Sequence, residues 1–183
     1  MTTSQIYEPQ VVPRSVWHEI RGVNYHILEW GDRDRPLLVL LHGWADCAAS
    51  FQFFVDELQK DWFVVAPDWR GFGRTHVRCQ GYWFPDYIAD LDVLLSIYQP
   101  DGPVNLLGHS MGANAAGLYA GIFPERVRAF VNVEGFGLAD SDPDDAPKNF
   151  RRWIEQSRNM PAYSSYATFT DLADRLVRRS PAL

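Results

Sequence analysis

With 183 residues, 46% of them hydrophobic and 22% charged, the chain has the size and composition of one globular domain with a sizeable core. A net charge of −6 without any basic block argues against nucleic acid as a main partner. No apolar run approaches the about 20 residues that cross a bilayer. Met1-Thr2-Thr3-Ser4-Gln5 lacks the form of a secretory signal, and Cys47 and Cys79 have neither metal nor disulfide-framework spacing, so a cytoplasmic protein without a metal site is expected.

In chain order, Ser15-Val16-Trp17-His18-Glu19-Ile20 and Val23-Asn24-Tyr25-His26-Ile27-Leu28 flank Gly22 and predict a hairpin. Leu37-Leu38-Val39-Leu40-Leu41 is a continuous apolar run, as in a strand covered on both faces. Phe51, Phe54, Val55 and Leu58 have helical spacing within residues 50–59. Trp62 to Ala66 predicts a second buried strand, stopped by Pro67. Tyr87, Leu91, Leu94, Leu95 and Tyr98 share one face of a helix over 87–98. Val104 to Leu107 predicts a strand, Ser110 to Ile122 a helix, and Arg128 to Val133 a further strand. Such alternation predicts an α/β fold: a mostly parallel sheet with helices on both faces. After Gly137 the texture changes to an acidic, turn-rich stretch over 140–145, then a helix with Pro147 in its first turn and a shorter amphipathic helix over 171–179. Two regions are expected, a core over 1–137 and a helical segment over 138–183. Residues 161–165 are expected to be irregular.

Ligands of such sheets bind beyond the carboxyl ends of the strands. His42-Gly43-Trp44, Asp68-Trp69-Arg70-Gly71, Ser110 and Glu134 all fall at such ends. Gly108-His109-Ser110-Met111-Gly112 carries the G-x-S-x-G spacing between a buried strand and a small-residue helix. There the chain reverses within a couple of residues, and glycines two before and two after the serine avoid Cβ clashes. The helix start turns its N–H groups and positive dipole end toward an oxyanion forming on the substrate. A serine hydroxyl needs a neighbouring base, normally histidine. Of the five histidines, His18, His26, His42, His76 and His109, none follows Ser110.

His42-Gly43-Trp44, Asp68-Trp69-Arg70-Gly71-Phe72-Gly73 and Gly108-His109-Ser110-Met111-Gly112 together resemble the α/β-hydrolase superfamily in its esterase-like branch, with matching order and spacing from about residue 15 to residue 137. The resemblance implies a Ser110 nucleophile and an oxyanion hole formed by the Met111 and Trp44 amides. His42, Gly43 and His109 then belong to the loops lining the substrate site. His42 is expected to fix its loop by hydrogen bonding. His109, on the opposite strand face from Ser110, is expected to pack or bond a loop. His76 is the remaining candidate base, while His18 and His26 are expected to be exposed or structural. Asp68 and Arg70 are expected to tie loops together. Glu134, ending a strand, is the candidate triad acid, although in the family the acid more commonly follows the next strand. The implied activity is hydrolysis of a small carboxylic ester or similar acyl substrate, with no metal or organic cofactor.

In this family the order is Ser, acid, then His. The chain is therefore expected to lack the family's terminal strands and its histidine, to start a helical cap after residue 137, and to be nearly inactive alone. The same expectation leaves Ala129, Phe130, Val131 and Val133 on an unpaired apolar edge. A non-catalytic binding module is the alternative from another class. An acyltransferase or a carbon–carbon bond hydrolase with a similar triad also fits. Oligomeric state and substrate identity are not encoded in these motifs.

Overall fold

The computed structural model describes residues 7–77, 82–137, 140, 142–158 and 165–179. β1 (Arg14–Ile20) and β2 (Val23–Trp30) form the hairpin. Its two turn residues, Arg21 and Gly22, both have positive φ (48° and 75°), the backbone of a tight turn matched to strand twist. β3 (Leu37–Leu41), β4 (Phe63–Pro67), β5 (Val104–His109) and β6 (Val127–Val133) complete a six-stranded sheet in the order β1-β2-β4-β3-β5-β6. β1 with β2 and β2 with β4 pair antiparallel, and the other three pairings are parallel.

Strand side chains alternate between faces, so each apolar run feeds two cores. Val39, Leu41, Phe63, Val65 and Leu106 lie in one core with Leu91, Leu94 and Leu95 of the helix at Phe84–Tyr98 and Ala115, Ala116 and Tyr119 of the helix at Met111–Ile122. Leu38, Leu40, Val64 and Ala66 lie in the other with Ala48 and Val55, from a 3-10 turn (Ala48–Phe51) and α1 (Gln52–Asp56). The helices over 84–98 and 111–122 are α2 and α3. This is the predicted α/β class, as a mixed sheet with helices on both faces.

α1 is shorter than the spacing over 50–59 predicts. Its carboxyl end tightens into i→i+3 bonds (Glu57 N–H to Phe54 O and Leu58 N–H to Val55 O, both 3.2 Å), which stop the helix and turn Leu58 onto the core. α2 starts earlier than predicted, at Phe84, because Pro85 in the first turn gives up only an N–H that a helix leaves unbonded there. β6 forms one edge of the sheet and β1 the other. Phe130 is partly buried against the core, whereas Val131 and Val133 are exposed.

The chain groups into two compact units, Met1–Gly137 and Leu138–Leu183. In the second, a 3-10 turn (Pro143–Asp145) precedes α4 (Ala146–Arg158), and α5 spans Phe169–Arg179. Asp142 accepts from the Asp144 N–H at 3.0 Å, capping the turn. Thr168 and Asp171 cap α5 reciprocally, each side chain accepting from the other's N–H at 3.1 Å. Residues 161–164 of the predicted irregular segment lie outside the described residues. Among the described residues, no helix is long and apolar enough to cross a membrane.

Candidate active site

Ser110 is the single residue between β5 and α3, with φ 49° and ψ −115°. A non-glycine residue there carries strain of about 1–3 kcal/mol, held by the surrounding structure. Its N–H donates to Val133 O at 2.8 Å and its carbonyl accepts from the Asn114 N–H at 3.0 Å. The flanking glycines allow the close approach. A Cβ on Gly108 would stand 2.4 Å from Ala113 Cα, and one on Gly112 2.2 Å from Leu41 O. Both obstacles are backbone, so neither can yield cheaply. Met111 opens α3 and is buried.

The loop after β3 packs against this junction. A Cβ on Gly43 would lie 3.0 Å from His109 Nδ1 and 3.2 Å from Ser110 Cβ. Trp44 is exposed, its ring edge-on to Phe72 at 5.0 Å, and Ala45 next to it has φ 57°. His42 is fully buried. Its Nε2 accepts from the Trp69 N–H at 2.9 Å, so Nδ1 carries the proton donated to Gly43 O at 2.7 Å. Burial holds its pKa below the ordinary imidazole value. His42 is a neutral clamp on its loop, with both ring nitrogens committed, as its sequence position suggests.

Glu134 follows β6 with φ 58° and a side chain 76% exposed, 4.0 Å from His109 Nε2. The Asn132 side chain folds its turn, accepting from the Gly135 N–H at 2.7 Å and donating to Gly135 O at 2.9 Å. Asn114 of α3 accepts from the Gly137 N–H at 2.9 Å. Ser110, Gly43, His109 and Glu134 therefore gather at one edge of the sheet. His109 lies between the Gly43 loop and Glu134, a link that its place on the strand does not reveal.

Of the other histidines, the His18 ring sits edge-on to Tyr98, and His76 is exposed. His26 is buried, with Nδ1 2.7 Å from Asp68 Oδ2 and Nε2 2.6 Å from Ser15 Oγ. Among the described residues, no imidazole is hydrogen-bonded to Ser110 Oγ. Asp68 and Arg70 tie loops together, as expected. Asp68 also accepts from the Ala48 N–H (2.7 Å) and the Arg74 N–H (2.8 Å), and Arg70 forks onto buried Asp90 with two bonds of 2.8 Å. Among the described residues, no group of three or more His, Cys, Asp or Glu is placed to hold a metal ion.

Comparison with known proteins agrees with this architecture. The model of the alpha/beta hydrolase fold family matches residues 36–182. A serine hydrolase-like protein of Danio rerio is 36% identical over 141 residues, covering 75% of this chain and 41% of the relative. Epoxide hydrolase 4 of Homo sapiens is 32% identical over 114 residues, covering 61% of this chain and 31% of that protein. The chain thus spans about two-fifths or less of these relatives' length. A solved structure of a hypothetical protein from Pseudomonas aeruginosa PAO1 superposes with a TM-score of 0.79 at 28% identity, covering 90% of this chain and 58% of that one. With a serine at a strained strand–helix junction on a mixed sheet, and a family match over most of its length, the chain belongs to the α/β-hydrolase fold family and is related to hydrolases.

Proposed function

We propose that this chain carries the nucleophile and oxyanion side of a serine hydrolase acting on a carboxylic ester or similar acyl substrate. Ser110 Oγ attacks the acyl carbonyl, and the backbone N–H groups of Met111 and Trp44 hold the resulting oxyanion. Glu134 orients the histidine that takes the Ser110 proton, and that histidine comes from outside the described residues. His42, Gly43 and His109 shape the loops beside the nucleophile. α4 and α5 belong to a helical cap.

The single observation that carries this reading is the backbone of Ser110, φ 49° between two glycines at which a Cβ would meet backbone atoms. A serine with only a structural role has no need of that strain. With no imidazole on Ser110 Oγ among the described residues, the test is chemical rescue. Exposed to a fluorophosphonate probe, the peptide bearing Ser110 is expected to be labelled slowly, and faster on addition of imidazole. Ser110→Ala removes that label. If imidazole leaves Ser110 unlabelled, the elbow is a remnant within a binding module and the hydrolase assignment falls.

A further inference from the structure

The geometry points to a second reactive serine: Ser15, set for acylation by His26 and Asp68, independently of Ser110. Ser15 Oγ lies 2.6 Å from His26 Nε2, and His26 Nδ1 lies 2.7 Å from Asp68 Oδ2. This is the nucleophile–base–acid order by which a catalytic triad is recognised, whatever the sequence positions.

The direction of each proton follows from the partners. Asp68 is buried, and besides His26 it accepts two backbone N–H groups, from Ala48 and Arg74. Asp68 thus acts as an acceptor toward its neighbours. His26 Nδ1 therefore donates to Asp68, which in the neutral ring leaves Nε2 as the acceptor facing the Ser15 hydroxyl. The imidazole and the carboxylate are both buried, whereas Ser15 is exposed. Base and acid are sheltered from water, and the nucleophile is open to a reagent.

Register builds the arrangement. Trp17 pairs with His26 across β1 and β2, and Ser15, two residues before Trp17, shares its face. Antiparallel pairing of β2 with β4 brings Asp68, the residue after β4, beside His26, where its N–H donates to His26 O at 2.9 Å. The Trp17 ring lies 5.0 Å from the His26 ring and is about half exposed, a flat apolar surface beside Ser15. The class of reagent that fits is a small activated acyl ester with an aromatic leaving group.

In the step, Ser15 Oγ bonds to the acyl carbon of p-nitrophenyl acetate and the ester bond to the phenol oxygen breaks. The Ser15 proton passes to His26 Nε2 and on to the departing p-nitrophenolate. Acetyl-Ser15 and p-nitrophenol result. Ser15 lies within a strand, not at a helix start, so it lacks the dipole end that faces an oxyanion at Ser110. Acylation is therefore expected to outrun hydrolysis of the acyl group.

The test is peptide mapping by mass spectrometry of the chain after brief exposure to p-nitrophenyl acetate. One acetyl group is expected on the peptide bearing Ser15, ahead of exposed Ser50 and Ser96. The adduct is lost in Ser15→Ala and unchanged in Ser110→Ala. In His26→Gln, with folding checked by circular dichroism, acylation of Ser15 should slow about a hundredfold, the lower end of what a positioned base contributes. The nitrogen-15 shifts of His26 in the unaltered protein give a readout independent of that variant, and the Nδ1-protonated tautomer is expected. An Nε2-protonated ring, no adduct at Ser15, or acetylation no faster than at Ser50 and Ser96 overturns the inference.

Discussion

Ser110 and Ser15 form the two halves of a structural contrast. Ser110 stands on a strained backbone at the start of α3, with the Gly43 loop against it and no imidazole on its oxygen among the described residues. Ser15 lies in a regular strand, yet its oxygen faces an imidazole backed by a buried carboxylate. The difference teaches that a strained junction and a chain of side-chain hydrogen bonds have separate structural origins. The first comes from how a strand hands over to a helix, a local matter of φ, ψ and missing Cβ atoms. The second comes from register, which brings side chains together from three strands' worth of sequence.

Each half can be broken separately. The largest effect is expected at Asp68. Asp68→Ala leaves two backbone N–H groups and the His26 ring without their acceptor, so stability should fall by about 4 kcal/mol in urea unfolding, within the range for removing one member of a buried charged cluster. Gly112→Ala attacks the other half. Its Cβ would meet Leu41 O at 2.2 Å, and a loss of about 3 kcal/mol is expected, the upper end of overpacking.

His42 gives a smaller, pH-dependent effect. Burial depresses its folded-state pKa below that of the unfolded chain, so the unfolded state binds the proton first. Its contribution is complete above the unfolded value of about 6.5 and is lost as pH falls from there toward the folded pKa. Unfolding free energy followed by urea titration should therefore drop below about pH 6.5 by up to about 1.4 kcal/mol per pH unit from this group. That component should vanish in His42→Gln. Ser110→Gly sharpens the contrast in the opposite direction. Relief of positive φ should raise stability by about 1 kcal/mol while removing the oxygen, read as a higher melting temperature. Smallest is Glu134→Gln. With its carboxylate largely in water, a change within about 0.5 kcal/mol is expected, and a larger shift would show that Glu134 holds the turn after β6.

The fold was legible wherever one periodicity dominates. Leu37 to Leu41 is apolar throughout because both faces of β3 are covered, Val39 and Leu41 on one side and Leu38 and Leu40 on the other. The G-x-S-x-G spacing was legible because its glycines answer a steric demand within five residues, and the strained Ser110 backbone is where that spacing put it. The end of α1 was not legible. Leu58 keeps helical spacing, but i→i+3 bonds had already closed the turn. Nor was the Ser15–His26–Asp68 chain, whose members lie 11 and 42 residues apart and meet only through two antiparallel registers. His109 was legible only as a ring that packs on or bonds a loop. Alternation along β5 told which way its ring departs, but not that the Gly43 loop and Glu134 would be waiting there.

The hydrogen bond from the Ser110 amide to Val133 fastens the strained residue between β5 and α3 to the end of β6. Each momentary loosening of the end of β6 releases that amide to exchange with solvent deuterium. The exchange rate at Ser110 is thus a clock for β6: whatever quiets that strand also holds the serine in place.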